Sequence, residues 1–119
     1  MTQAFRNTVD TICAPLPGAE KSDPWGGGHD AWKVADKIFA SIGANCTGVS
    51  VKTPDIETAT MLIEASVGIK APYFHRSWVH LGMYTPQDEL SHRIVASYDL
   101  IRSKLPAKIR KALPVREGQ

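Results

Sequence analysis

The sequence predicts an α+β domain. Its architecture is a two-layer sandwich, an antiparallel sheet with helices packed on one face, in the order α-β(3)-α-β(1-2)-α. Three observations predict it. Separate stretches place apolar residues at helical spacing. Between them lie short alternating runs whose connections are too short for parallel crossovers, so the strands are antiparallel. Each helix has one apolar face, which requires a sheet to cover it.

At 119 residues, with 43% hydrophobic and 22% charged residues, the chain suits one globular domain, set at residues 1–113 with a frayed tail at 114–119. The net charge of +2 is too small to imply nucleic acid by itself. Its distribution is uneven, because Arg102, Lys104, Lys108, Arg110, Lys111 and Arg116 face only Glu117 near the end. Cys13 and Cys46 have neither metal-type nor redox-type spacing and read as free buried thiols, which with the polar N-terminus predicts a cytoplasmic protein. No window approaches roughly 18 consecutive apolar residues, so no membrane span is expected.

Phe5, Val9, Ile12 and Leu16 mark the first helix, with Cys13 beside them, Thr2 as its expected cap, and Pro15 and Pro17-Gly18 as its stop. Residues 19–28 read as a loop with room for a short edge strand at the start. Its glycine run lacks the Gly-Lys-Ser/Thr of a phosphate loop, and Trp25 reads as a core or lid aromatic. Trp32 and Val34, then Ile38, Ala40 and Ile42, predict a hairpin about Ala35-Asp36. That pair is a poor two-residue turn, since the favoured geometry suits glycine or asparagine, and a three- or four-residue loop is an alternative. Val49 and Val51 predict the next strand.

Thr53-Pro54 predicts a helix start, with Ile56, Ala59, Thr60, Ile63 and Val67 as its buried face and Gly68 as its end. Residues 69–73 have room for a short strand before Pro72 interrupts it. The run from Trp78 to Tyr84 is a clearer strand. Val79, Leu81 and Met83 form its core face, which leaves Trp78, His80 and Tyr84 opposite, at least partly solvated unless a loop covers them. Thr85-Pro86 repeats the capping device, with Asp88 in the capping-box position. Leu90, Ile94, Tyr98, Ile101 and Leu105 then mark the longest helix, which Pro106 ends. A short basic helix over residues 107–113 is expected to be held by Ile109 and Leu113.

Several of these residues together resemble the MmcQ/YjbR-like family of small bacterial domains. They are Leu16-Pro17-Gly18-Ala19-Glu20, Pro24-Trp25-Gly26, Lys37-Ile38-Phe39-Ala40, Ala71-Pro72-Tyr73 with Trp78-Val79, and Ser97-Tyr98 through Lys104-Leu105-Pro106. The resemblance runs from about Ile12 to Leu105 and departs at Ala35-Asp36, where the family usually has a glycine pair. It implies a fold similar to the CyaY-like and secretion-chaperone-like domains, and DNA binding through a so-called double wing motif. Frataxin-like iron binding uses an acidic helix ridge, and the first helix here offers only Asp10, so iron is not expected.

No residue set demands a reaction, so no enzyme is expected. His75 and His80 are not on one helical face and lack a third ligand; no metal and no cofactor are predicted. Three readings follow. A DNA-binding module would use Lys70, His75, Arg76, Trp78, His80, Lys108, Arg110 and Lys111. A protein-interaction module, such as a homodimer, would use the aromatic sheet face. A small-molecule pocket of Trp25, Tyr73 and Trp78 is the third reading.

Overall fold

Alternation builds the sheet. In a computed structural model, which describes residues 2–115, six strands form one antiparallel sheet: β1 (Ala19–Ser22), β2 (Asp30–Val34), β3 (Lys37–Ile42), β4 (Gly48–Lys52), β5 (Ile69–Lys70) and β6 (Trp78–Gly82). Their order across the sheet is β1-β2-β3-β4-β6-β5. The helices are α1 (Thr2–Cys13), α2 (Ile56–Glu64), α3 (Gln87–Ser103) and α4 (Ala107–Ala112). One residue of each alternating pair meets the helices: Val49, Val51, Val79 and Leu81 are fully buried in a single core with Val9, Cys13, Leu90, Ile94 and Tyr98. The predicted two-layer α+β sandwich is therefore the observed fold, and the room left for an edge strand is filled by β1.

The hairpin between β2 and β3 closes on two residues after all. Ala35 and Asp36 take φ of 48° and 65°, the doubly left-handed turn that matches strand twist. Neither is glycine, so the turn stores strain of roughly 1–2 kcal/mol per residue. Further along, the register slips opposite Trp32 and Lys33. Phe39 is the extra residue in β3, and it turns inward to meet Tyr98 edge-on with ring centroids 5.3 Å apart. Beyond that bulge β3 and β4 part, and α3 fills the gap. Lys52 N–H donates to Ser97 Oγ at 2.9 Å, and Ser97 Oγ donates to the Phe39 carbonyl at 2.7 Å. A second polar chain fixes the other side of α3. Tyr98 Oη donates to the Pro17 carbonyl (2.6 Å), while Arg102 donates to Tyr98 Oη (3.0 Å) and to the Leu113 carbonyl (3.2 Å).

Several local expectations are corrected. Thr2 is itself helical, so the expected cap position lies outside the described residues. The cap of α2 is Asp55, whose carboxylate accepts from Thr58 N–H at 2.7 Å. Thr53 does not cap, because its hydroxyl donates to the Ser77 carbonyl at 2.7 Å. Thr85 likewise turns back to the Gly82 carbonyl, and α3 starts without a side-chain cap, so Asp88 forms no capping box. The buried face of α2 is Ala59 and Leu62, while Ile63 stands 36% exposed. In α4, Leu113 packs beside Gly18 but Ile109 is exposed. The expected frayed tail falls mostly on residues 116–119, outside the described residues.

Candidate functional site

All the core helices lie on one side, so the residues that alternate with the core line a helix-free face. One row of directly paired residues crosses it: Ser22, Ala31, Ser41, Ser50, His80 and Ile69. Ser41, Ser50 and His80 form the floor of a cleft of about 700 Å³. Trp25 and His29 wall one side, Tyr73 and Phe74 belong to another, and residues 43–47 close an end. No Lys, Arg, Asp or Glu lines it, so the cleft is electrically neutral apart from its histidines.

Each wall is set by local chemistry. The Trp25 loop carries Gly26, Gly27 and Gly28, all in the left-handed region, and it is folded around one carboxylate. Asp23 accepts from the backbone N–H of Gly28 at 2.9 Å and of His29 at 3.2 Å. The His29 ring bonds the Gly26 carbonyl at 2.8 Å and meets Trp25 edge-on. Trp25 remains 59% exposed. Opposite, Tyr73 is fully exposed and has φ of 69°, an uncommon state for a bulky residue. Phe74 stacks on Trp78 with centroids 4.4 Å apart.

The floor is satisfied from within. His80 Nδ1 lies 3.0 Å from Ser50 Oγ, and Nε2 lies 3.0 Å from Thr47 Oγ1. Burial pushes the imidazole pKa below its ordinary value, against an opposing backbone hydrogen bond at Thr47. A neutral ring has one donor and one acceptor nitrogen. One hydroxyl therefore donates to the ring, and the other accepts from it and keeps its own proton for a visitor to the cleft.

The sequence-predicted residues divide. Trp25 and Tyr73 come together as cleft walls, and His80 is in the floor. Trp78 is not a wall, and of the two states the sequence left open for Trp78 and His80, solvated or covered by a loop, the covered one holds. Trp78 is only 8% exposed because Phe74 covers it, and His80 only 9% because Ser50 and Thr47 hold it down. The strand ends at Gly82, which leaves Tyr84 in the following turn and exposed. A dimer through the aromatic face thus loses Trp78 as its anchor. Lys70 sits on the edge strand β5, and His75 and Arg76 are exposed in the loop leading to β6. Lys108, Arg110 and Lys111 lie on α4, whose end packs near Gly18 and Val34 toward the opposite sheet edge. Sequence reasoning missed Ser41, Thr47, Ser50 and His29; the alternation of Ser50 with Val49 and Val51 was the available signal for the floor. Among the described residues no three His, Cys, Asp or Glu side chains gather as a metal group, and no helix is long and apolar enough to cross a membrane.

Fold and cleft together define a class: a small two-layer α+β domain with one naked sheet face that carries a ligand-sized hollow. Among known proteins, the family model described as YjbR matches residues 14–100. The chain belongs to the YjbR family. It is similar to the crystal structure of the Deinococcus radiodurans protein DR2400, a DUF419 domain, with a TM-score of 0.83. That likeness covers 95% of this chain and 92% of the other at 21% identity, and at that identity it shows the fold alone. No curated protein matches the chain.

Proposed function

We propose that this chain is a non-enzymatic binding module whose site is the open-face cleft, and that its occupant is a small, flat, uncharged molecule with hydrogen-bonding edges. The cleft itself carries this reading. Its volume of about 700 Å³ falls in the range typical of small-molecule sites, its aromatic walls suit stacking, and its floor offers hydroxyl groups but no fixed charge. The absence of an enzymatic role in this reading is supported by His80, whose two ring nitrogens are both engaged by hydroxyls. A cytoplasmic location is supported by two buried cysteines that remain free thiols.

A thermal-shift panel of neutral aromatic heterocycles tests the proposal. Hits are expected to stabilise the native chain and to lose at least tenfold in affinity in Trp25→Ala and Tyr73→Gly, both surface changes that leave the fold intact. Hits that bind both variants as tightly as the native chain, or a panel with no hits, would refute it.

A second reading, DNA binding, is favoured by a separate observation. Lys104, Lys108 and Lys111 have no carboxylate partner among the described residues, whereas Arg6, Lys21 and Arg93 are each paired. Complexes formed at low salt should weaken steeply as salt rises and disappear in Lys108→Ala/Lys111→Ala. A complex that ignores both salt and these substitutions counts against DNA.

A further inference from the structure

At the other end of the open face, where β4 ends and β6 begins, Lys52 is paired directly with Trp78. Its ammonium donates to Ser77 Oγ at 3.0 Å. Ser77 Oγ in turn lies 2.9 Å from His75 Nδ1, and the Ser77 backbone N–H donates to the same nitrogen at 3.1 Å. A nitrogen that accepts from a backbone N–H carries no proton of its own, so the His75 proton is on Nε2. The chain of donation therefore runs from Lys52 through Ser77 to His75. Ser77 is itself clamped, because Thr53 donates to its carbonyl from both N–H (2.8 Å) and Oγ1 (2.7 Å).

The outward valences of this cluster have one polarity. Lys52 keeps two ammonium N–H groups beyond the one given to Ser77, and His75 keeps its Nε2–H. Lys104, at the C-terminal end of α3, lies near enough to act on Lys52, whose pKa is held below its ordinary value first by burial and then by the Lys104 charge. Arg76, between His75 and Ser77 in the chain, is exposed. None of these cations has a carboxylate partner among the described residues, while Arg6, Lys21 and Arg93 do. Lys52 is thus held against a clamped hydroxyl, with the charge of a second lysine acting on it, and no protein acceptor among the described residues takes its remaining N–H groups.

We propose that Lys52, Ser77 and His75 form a binding site for a phosphoryl oxyanion. The site is separate from the aromatic cleft and stands whether or not the cleft takes a ligand. A phosphoryl group supplies acceptors: its oxygens take the Lys52 N–H groups and the His75 Nε2–H, and its charge offsets the Lys104 charge that acts on Lys52. The same chemistry is offered by free phosphate, by a phosphorylated small molecule and by a nucleic-acid backbone.

The test uses the whole chain, titrated separately with inorganic phosphate and with a short DNA duplex, each against chloride at matched ionic strength and followed by NMR. Phosphate is expected to shift the His75 ring and the Ser77 amide saturably and to raise the Lys52 pKa. Lys52→Met and His75→Ala, the latter read at the Ser77 amide, should each weaken this by about tenfold or more, as expected for a lost hydrogen bond to a charged group. Lys33→Met, on the same face outside the cluster, should leave it unchanged. Saturation by duplex but not by phosphate, with the same dependence on Lys52, supports the site and assigns it to backbone phosphates. If neither anion is distinguishable from chloride, or if the Lys52 and His75 variants bind as the native chain does, the proposal is overturned. His75 is exposed, so its variant remains informative if Lys52→Met fails to fold.

Discussion

Val49, Val51, Val79 and Leu81 point toward the helices and are fully buried, whereas Ser50, Lys52, Trp78 and His80 alternate with them in the same two strands and point away. The first set is covered by helices and needs no hydrogen bonds. The second is covered only by loops, and its polar atoms bond one another: Ser50 with His80, and one of the Lys52 N–H groups with Ser77. Two kinds of burial therefore coexist a residue apart. One depends on apolar packing and should respond to lost volume; the other depends on hydrogen bonding and should respond to protons and ligands.

The contrast is sharpest for paired substitutions. Leu81→Ala, on the helix side, is expected to cost about 2–5 kcal/mol in urea unfolding, the usual range for emptying a packed leucine site. A loss below that of Ser50→Ala would remove the distinction between the faces. Ser50→Ala leaves a buried ring nitrogen unpaired and should cost about 1–3 kcal/mol.

His80 adds a pH dependence that the helix side lacks. Its folded pKa lies below the ordinary histidine value of 6.5, so the unfolded chain takes up this proton more readily than the folded one. Its contribution is full above the unfolded value and is lost as pH falls through 6.5 toward the folded value. His80→Gln should flatten that decline in a denaturation series, and an unchanged decline would remove His80 as its source. The smallest effects belong to the cleft walls. Tyr73→Gly relieves a left-handed backbone and should leave stability unchanged or raise it by up to about 1 kcal/mol, as melting temperatures would record.

Much of this was legible in the sequence. Val79 and Leu81 alternating with Trp78 and His80 located the core face of β6, and the step from Leu90 to Leu105 located α3. The errors share a cause. Thr53 and Thr85 look like helix caps, but their hydroxyls are claimed by the carbonyls of Ser77 and Gly82; the first partner is distant in sequence, and the second lies in the turn before α3. For Trp78 and His80 the sequence left loop cover open without naming it, because a pattern assigns a residue to a face without saying what lies over it; Phe74 and Thr47 supply that cover. The walls of the cleft, Trp25 and Tyr73, were visible as residues, but their meeting across the sheet depends on loops whose course no periodicity encodes.

The hydroxyl of Ser97 has one more consequence. The register of β3 against β4 holds at Ala40 with Val51 and Ser41 with Ser50, and next to those pairs the two strands are joined through a side chain of α3. The joint between β3 and β4 in the middle of the sheet is thus completed by a residue that follows every described strand in the chain. Completing that joint therefore requires α3, the longest helix, as well as the two strands it joins.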